Sequence, residues 1–154
     1  MAKTNPNAYY HEVPVKIIND STNPNPKYAH PGDAGMDLYA SETKMIPAGG
    51  IAMVPTSIRI SLPDGYEAQI RSRSGLAAKS GIFVLNSPGT IDSQYQGHIG
   101  VILANFGTSD FIVNYGDRIA QMVIAKYEKA SLTEVSEFAN LTERGENGFG
   151  SSGV

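Results

Sequence analysis

Apolar residues along the chain occur in short runs that glycine, proline and polar turn residues separate. Few uninterrupted stretches reach the about 11 residues of an average helix, whereas β-branched runs between turn residues are typical of strands. The pattern therefore predicts a chain built mainly of strands. Seven runs are expected to form them, at residues 13–19, 49–62, 65–70, 81–86, 97–106, 111–114 and 118–127.

Local patterns within these runs predict how the chain turns. Ile58, Ile60 and Leu62 alternate with polar residues, and a turn sequence at 63–65 follows before the next predicted strand. This arrangement predicts a β-hairpin. The only stretch that favours a helix is 74–80, with room for one or two turns.

The order of the predicted elements indicates the fold class. Strands that follow one another at spacings of about 8 to 15 residues, without helices between them, are typical of an antiparallel sandwich or barrel. We therefore expect an all-β domain of the jelly-roll type at residues 13–140. Residues 1–12 are expected to form an N-terminal tail and residues 141–154 a glycine-rich C-terminal tail.

Size and composition narrow the possible environments of the protein. A chain of 154 residues with 41% apolar and 18% charged residues fits one globular domain. No apolar run approaches the roughly 18 residues of a membrane span, and the N-terminal sequence lacks the basic and apolar parts of a secretory signal. An intracellular protein, cytoplasmic or nuclear, that does not bind membranes is therefore expected.

Cysteine, histidine and charge content exclude several kinds of site. The chain has no cysteine, and its three histidines, His11, His30 and His98, are too scattered to suggest a zinc cluster. A net charge of −3 argues against a nucleic-acid surface. Any anionic ligand must therefore be met by local cations.

Two glycine-containing segments place charges where strands are expected to end. In 32–37, Asp37 lies between apolar residues and is suited to orient water on a metal ion, although an aspartate that caps turn amides explains the same pattern. In 71–81, Arg73, Ser74 and Gly75 precede a possible helix start, where guanidinium, hydroxyl and free amides suit a phosphate. A capped turn with solvated arginines is the alternative.

The segment 85–97 combines turn residues with polar and aromatic side chains. If it forms a hairpin, Asn86 can hydrogen-bond the edge of a base and Tyr95 can serve as a flat platform beside Asp92. A hairpin in which the aspartate merely accepts hydrogen bonds from turn amides remains the alternative.

The last strand and the C-terminal tail supply two further candidates. Arg118 and Gln121 are three residues apart, which on a regular strand sends them to opposite faces, so that only one is expected to face a given site. In the tail, Arg144, glycine amides and the hydroxyls of Ser151 and Ser152 suit a phosphate, and Phe149 suits a base. We expect a ligand to order this tail.

Five segments together resemble, in order and spacing, the five motifs of the trimeric deoxyuridine triphosphate nucleotidohydrolases, the dUTPases. They are motif 1 at 34–40, motif 2 at 71–77, motif 3 at 86–97, motif 4 at 116–123 and motif 5 at 144–153. Five motifs in order are far more specific than any one alone. Asn147, where the family usually has glycine, and Ser152, where threonine is common, depart from the pattern.

The resemblance implies a jelly-roll subunit in a homotrimer, with active sites at subunit interfaces. Motifs 1, 2 and 4 would come from one chain, motif 3 from a second and motif 5, as a lid, from a third, with part of the β domain exchanged or packed between subunits. The implied reaction hydrolyses dUTP to dUMP and pyrophosphate with Mg²⁺ as cofactor. This would limit uracil in DNA and supply dUMP for thymidylate synthesis.

The resemblance also implies roles for individual residues. Asp92 matches the carboxylate that positions and deprotonates the attacking water, Asp37 the residue that contacts magnesium through water, and Tyr95 the ring packed beneath the deoxyribose. The other implied substrate contacts are Arg73, Ser74, Gly75 and Gln121 at the phosphates, Asn86, Gly89, Thr90 and Ile91 at uracil, and Arg144, Phe149, Gly150, Ser151 and Ser152 in the tail.

Two alternative functions are considered. The dCTP deaminases share the superfamily but resemble a design with a glutamate on the strand after motif 3, and residues 96–109 contain no carboxylate. A non-catalytic relative that keeps only nucleotide recognition, or only the fold, is the second alternative, which the intact charged groups in all five motifs disfavour.

Overall fold

The computed structural model describes residues 11–140 and 142–148. This part of the chain contains eleven strands and one short helix, and it contains no helix that is long and apolar enough to cross a membrane. The elements are β1 (Lys16–Asn19), β2 (Met36–Tyr39), β3 (Lys44–Ile46), β4 (Ile51–Pro55), β5 (Ile58–Ser61), β6 (Tyr66–Arg71), α1 (Ser74–Ser80), β7 (Ile82–Val84), β8 (Gly89–Ile91), β9 (Gly100–Asn105), β10 (Phe111–Val113) and β11 (Arg118–Lys126). The prediction of an all-β fold with one short helix is confirmed.

Every predicted run contains a strand, but one run contains two. The stretch 49–62 divides into β4 and β5 at Thr56 and Ser57, where Ser57 takes a left-handed φ of 55°. Buried Thr56 fixes this break, because its Oγ1 donates to the Ile99 carbonyl oxygen at 2.7 Å. The strands β2, β3 and β8 lie outside the predicted runs.

All four sheets are antiparallel, and strands that pair within a sheet are not consecutive in the sequence. One sheet has the order β2-β11-β6-β8 and another the order β4-β9-β7, while β1 pairs with β5 and β3 with β10. Their inner faces share one apolar core, whose fully buried side chains include Leu38, Ile46, Val54, Ile82 and Leu103. This architecture agrees with the jelly-roll prediction.

The predicted hairpin between β5 and β6 is wrong, and the segment 85–97 does not form a hairpin of its own. The turn after β5 forms, with Gly65 at φ 84° and the Tyr66 amide donating to the Pro63 carbonyl at 3.3 Å, but it carries the chain from the β1-β5 sheet into the four-stranded sheet. Likewise, β8 pairs with β6 rather than with a neighbour in its own segment. Turn residues show where the chain reverses, whereas the distant strands that cover an apolar face decide the pairing.

Asn105 is a buried polar residue at the end of β9. Its Nδ2 donates to the carbonyl oxygens of Ile46 at 3.0 Å and Ser109 at 2.9 Å, and its Oδ1 accepts from the Gly107 amide at 2.9 Å. Because Asn105→Ala leaves these backbone groups unpaired, we expect a loss of about 3 kcal/mol in unfolding free energy. Urea unfolding followed by circular dichroism at fixed protein concentration measures it. Exposed Asn114→Ala is the control, and equal losses in both variants would contradict this role.

Candidate active site

Asp37 lies on β2 between two arginines from different parts of the chain. Its Oδ1 is 3.1 Å from Arg73 Nε, and its Oδ2 is 3.3 Å from Arg118 Nη1. A further hydrogen bond of 2.7 Å runs from Arg73 Nη1 to the Arg118 carbonyl oxygen. This Asp37 cluster of Asp37, Arg73 and Arg118 therefore joins motifs 1, 2 and 4 within one subunit.

The structure corrects the expected geometry of motif 4. In the pairing of β11 with β2, Arg118 faces Tyr39 while Ala120 faces Leu38, so that β11 has one extra residue at this point. Such a bulge shifts the alternation of side chains by one position. As a result Arg118 contacts Asp37, and Gln121 is the direct cross-strand neighbour of Asp37. The prediction that only one of the two could face the site is wrong.

Ser72 connects this region to the start of motif 3. The Gln121 Nε2 donates to the Ser72 carbonyl oxygen at 2.9 Å, and the Ser72 hydroxyl accepts from the Val84 amide at 2.9 Å. The Ser72 amide also donates to the Ser87 hydroxyl at 3.4 Å. The backbone of motif 2 is thus held from both sides before the chain enters α1.

The start of α1 presents exposed groups beside the Asp37 cluster. Arg73 occupies the N-cap position in an extended conformation and forms no side-chain cap, so the alternative of a side-chain-capped turn is not what the structure contains. Ser74 and Gly75 are exposed, and nothing lies within 4 Å of where a Gly75 side chain would begin. The hydroxyl and the uncapped amides can therefore be reached by a ligand.

A cleft of about 320 Å³ opens beside the cluster. Asp37, Gln121 and Arg71 line it as a row across three neighbouring strands, β2, β11 and β6. Gly35 also lines it, and any side chain there would overlap Oε1 of Gln121. Lys27 and Arg71 are two cleft cations that sequence reasoning did not select as site residues. No motif contains Lys27, whereas Arg71 is the first residue of motif 2.

Motif 3 lies at a different part of the same sheet. In β8, Gly89, Thr90 and Ile91 pair with Ile70, Gln69 and Ala68 of β6, so the next residue, Asp92, lies level with Glu67. From Glu67 to Arg71 the strand advances roughly 13 Å. The carboxylate of Asp92 is therefore not part of the Asp37 cluster within a single subunit, and its side chain is exposed.

The uracil candidates of motif 3 are placed around a closely packed turn. Asn86 is exposed, and its amide lies next to buried Gly89, where an added side chain would begin only 3.2 Å from Nδ2. Thr90 is exposed and Ile91 is half-buried. Asn86 and the backbone of β8 are thus neighbours, as the predicted uracil surface requires.

The rest of motif 3 is fixed to the turn and strand on its far side. Ser93 and Gln94 both donate to Asp64 Oδ1, at 3.4 and 3.2 Å. Tyr95 is 46% exposed, and its hydroxyl donates to the His98 carbonyl oxygen at 2.9 Å. Tyr95 therefore keeps a large accessible surface while its hydroxyl is held.

Beyond this segment, Asp20 receives a close contact from His98. Asp20 Oδ2 lies 3.0 Å from His98 Nε2 and 3.1 Å from Arg59 Nη2. The hydrogen bond with His98 and the nearby Arg59 guanidinium together hold the pKa of the Asp20 carboxyl below its usual value of 3.8. Sequence reasoning did not select this group.

The C-terminal motif is only partly within the described residues. Arg144 is exposed, and its Nε donates to the Asn147 carbonyl oxygen at 3.0 Å within its own turn. The left-handed residue of this turn is Gly145, with φ 52°, rather than Asn147. Phe149, Gly150, Ser151 and Ser152 lie outside the described residues, so their predicted roles stay predictions.

A metal ion would find few protein ligands here. Over residues 11–140 and 142–148, no group of three histidine, aspartate or glutamate side chains is arranged to hold a metal. Both oxygens of Asp37 already contact arginines. These residues fit a hydrated Mg²⁺ that Asp37 would contact through one of the waters of the ion, since Mg²⁺ gives up its waters reluctantly and commonly keeps several of them.

Comparison with known sequences identifies related proteins over nearly the whole chain. The sequence model of the dUTPase family matches residues 21–153. The deoxyuridine 5'-triphosphate nucleotidohydrolase of Anaplasma marginale is 56% identical over 133 residues, covering 85% of this chain and 90% of the relative. That of Rickettsia bellii is 54% identical over 145 residues, covering 93% and 96%.

Solved structures show the same relationship in three dimensions. The dUTPase of Staphylococcus bacteriophage 80alpha with dUPNHPP aligns with a TM-score of 0.85 at 29% identity, over 92% of this chain and 99% of that one. A mutant dUTPase from phage phi11 of S. aureus, described with a structural Mg(II) ion, aligns with a TM-score of 0.75 at 25% identity, over 82% and 99%. By sequence and by fold, this chain belongs to the dUTPase family.

Proposed function

We propose that this protein hydrolyses dUTP to dUMP and pyrophosphate, and so limits uracil in DNA and supplies dUMP for thymidylate synthesis. The observation that carries the proposal is the Asp37 cluster, which brings motifs 1, 2 and 4 together beside a polar cleft whose lining includes Lys27 and Arg71 as well as Asp33 and Asp37. Its sequence relatives are named for this substrate, and a structural relative was solved with dUPNHPP.

The proposed chemistry is in-line attack of water on the α-phosphorus. Asp92 holds the water and takes its proton as the new bond from water oxygen to phosphorus forms, while the bond from phosphorus to the bridging oxygen breaks and pyrophosphate leaves. A carboxylate is a weak base toward water, so orientation of the water and stabilisation of the developing charge must lower most of the barrier. Arg73, Ser74, Gly75 and Gln121 are suited to that task at the phosphates.

Magnesium fits this arrangement as an ion carried with the triphosphate. Asp37 would hold a water of the hydrated ion, and the contacts with Arg73 and Arg118 would orient its carboxylate. When bound, Mg²⁺ neutralises phosphate charge and so favours departure of pyrophosphate. The arginine contacts of Asp37 support an indirect role rather than direct coordination.

Recognition of the nucleoside is assigned to motif 3. Asn86 and the backbone of Gly89, Thr90 and Ile91 offer donors and acceptors for the uracil edge, since a strand end and a turn hold them in fixed directions. Tyr95 offers an exposed ring for the deoxyribose, where close packing disfavours a 2′-hydroxyl.

A homotrimer with shared active sites accounts for the separation between the Asp37 cluster and motif 3 in one subunit. Asp92 lies away from the Asp37 cluster in one subunit, so we propose that motif 3 of a neighbouring subunit completes each site. The tail of a third subunit would close over the nucleotide, with Phe149 on uracil and Arg144, Gly150, Ser151 and Ser152 at the phosphates. The separation along β6 supports this assembly.

Product analysis tests the proposed function. The purified protein is incubated with Mg²⁺ and, in separate reactions, with dUTP, dCTP, UTP or dTTP, and the products are separated by ion-exchange chromatography. We expect dUMP and pyrophosphate from dUTP, with little turnover of the others. Ammonia from dCTP would instead indicate deamination, and no turnover of any nucleotide by folded protein would contradict an enzymatic role.

A further inference from the structure

We propose that Asp20 is a positioning residue for sugar selection: through His98 it fixes the orientation of Tyr95, the ring assigned to the deoxyribose. This inference rests on the proposed function, because that function gives Tyr95 its role. Asp20 lies in none of the five motifs and follows β1, in a different sheet from β8. Selectivity for the sugar would thus depend on a contact between the residue after β1 and the connection that joins β8 to β9.

The ring of Tyr95 is held at two points. Its hydroxyl donates to the His98 carbonyl oxygen at 2.9 Å. The ring also packs directly on Gly97, where an added Cβ would lie 2.6 Å from the hydroxyl oxygen and 2.7 Å from Cζ. Such distances are shorter than van der Waals contact, so the ring position depends on glycine at 97 and on the place of the His98 backbone.

The backbone of His98 is in turn anchored through its side chain. His98 Nε2 lies 3.0 Å from Asp20 Oδ2, and the same oxygen accepts from Arg59 Nε at 3.2 Å and Nη2 at 3.1 Å. The Asp20 amide donates to the Ser57 carbonyl at 2.9 Å, which continues the β1-β5 pairing beyond the strand end. The backbone hydrogen bond of Asp20 and its contacts with Arg59 therefore fix its position independently of His98.

A second contact also holds the carbonyl that accepts from Tyr95, because the His98 carbonyl and the Ile99 amide belong to one planar peptide unit. The Ile99 amide donates to the Ile58 carbonyl at 2.9 Å, and Gln96 Nε2 donates to the Ser61 hydroxyl at 3.4 Å. Between these points, His98 is the residue whose carbonyl accepts from Tyr95. Loss of the Asp20 contact should therefore loosen the ring without unfolding the segment.

The expected change in sugar selectivity is small because the side chains of His98 and Asp20 are partly exposed to solvent. The side chains of His98 and Asp20 are 58% and 42% exposed, and exposed contacts of this kind change an equilibrium by about twofold to fivefold. A looser ring tolerates a 2′-hydroxyl better and packs less well under deoxyribose. Both changes lower the ratio of kcat/KM for dUTP to that for UTP.

The test compares this ratio among variants of the full-length protein with Mg²⁺. We expect Asp20→Ala and His98→Ala each to lower it about threefold, and Gly97→Ala, which displaces the ring directly, to lower it further. The double variant Asp20→Ala/His98→Ala should match either single variant, because both remove one contact. Asp110→Ala is the matched control, as exposed Asp110 accepts a backbone bond from Ala48 at 3.0 Å at another site.

Hydrogen exchange measured by mass spectrometry provides a readout independent of turnover. We expect peptides covering 92–98 to exchange faster in Asp20→Ala and His98→Ala, with the Asp110→Ala protein unchanged there. An unchanged dUTP to UTP ratio, or equal losses of turnover for both substrates, would overturn the inference while leaving the proposed function intact. A wild-type protein that hydrolyses neither nucleotide would overturn the function, and unchanged exchange would then also overturn the anchoring by Asp20.

Discussion

Asp92→Asn is expected to lower kcat for dUTP by about 10²–10⁴-fold, the usual contribution of a positioned base. Asparagine has nearly the same size and still accepts a hydrogen bond from water, but it cannot take the proton. Since the exposed Asp92 side chain does not support the fold, nucleotide binding and stability should be kept. Initial rates across a range of dUTP concentrations separate kcat from KM, and calorimetry with a non-hydrolysable analogue measures binding.

Asp110→Asn is the control for this prediction. Asp110 is also an exposed aspartate, yet it lies at the turn before β10, where it accepts a hydrogen bond from the Ala48 amide. Its replacement should leave kcat within about twofold, because surface changes away from a site have small effects. Turnover by Asp92→Asn close to that of the control would show that another group activates the water.

The positions of eight of the eleven described strands were predictable from the sequence, because β-branched runs between turn residues leave few alternatives. The pairing of those strands was not predictable in the same way. The turn at Pro63–Gly65 is present, yet β5 pairs with β1 and β6 with β11. Which distant strand covers an apolar face depends on packing of the whole domain, and local alternation carries no information about it.

For the candidate site, too, the residue types were predictable from the sequence and the contacts between them were not. Residue types and their order along the chain were enough to indicate the family, which the comparisons confirm. The contact of Arg118 with Asp37 was not predictable, because it depends on a bulge in β11 that moves one side chain to the other face. Lys27 and Asp20 lie in none of the five motifs. Only the structure shows that Lys27 lines the cleft and that Asp20 contacts His98.

Mixing two inactive variants should restore activity if neighbouring subunits share each site. Arg73→Ala disables the Asp37 cluster and Asp92→Asn disables motif 3, and these lie at separate parts of one subunit. After equal amounts are unfolded and refolded together, a site is intact when one subunit supplies Arg73 and its neighbour supplies Asp92. With random assembly into trimers, this holds for about one quarter of the sites.

The decisive control is a mixture of two variants that both alter the Asp37 cluster. Arg73 and Asp37 contact each other within a single subunit, at 3.1 Å, so Arg73→Ala mixed with Asp37→Ala can form no intact site. We therefore expect dUTP turnover near a quarter of the wild-type value in the first mixture and none above the separate variants in the second. If the first mixture stayed as inactive as its parents while forming mixed trimers, Asp92 would have to act within its own subunit. Because strand pairing puts Asp92 level with Glu67, motif 3 would then have to move by roughly the 13 Å that separates Glu67 from Arg71 along β6.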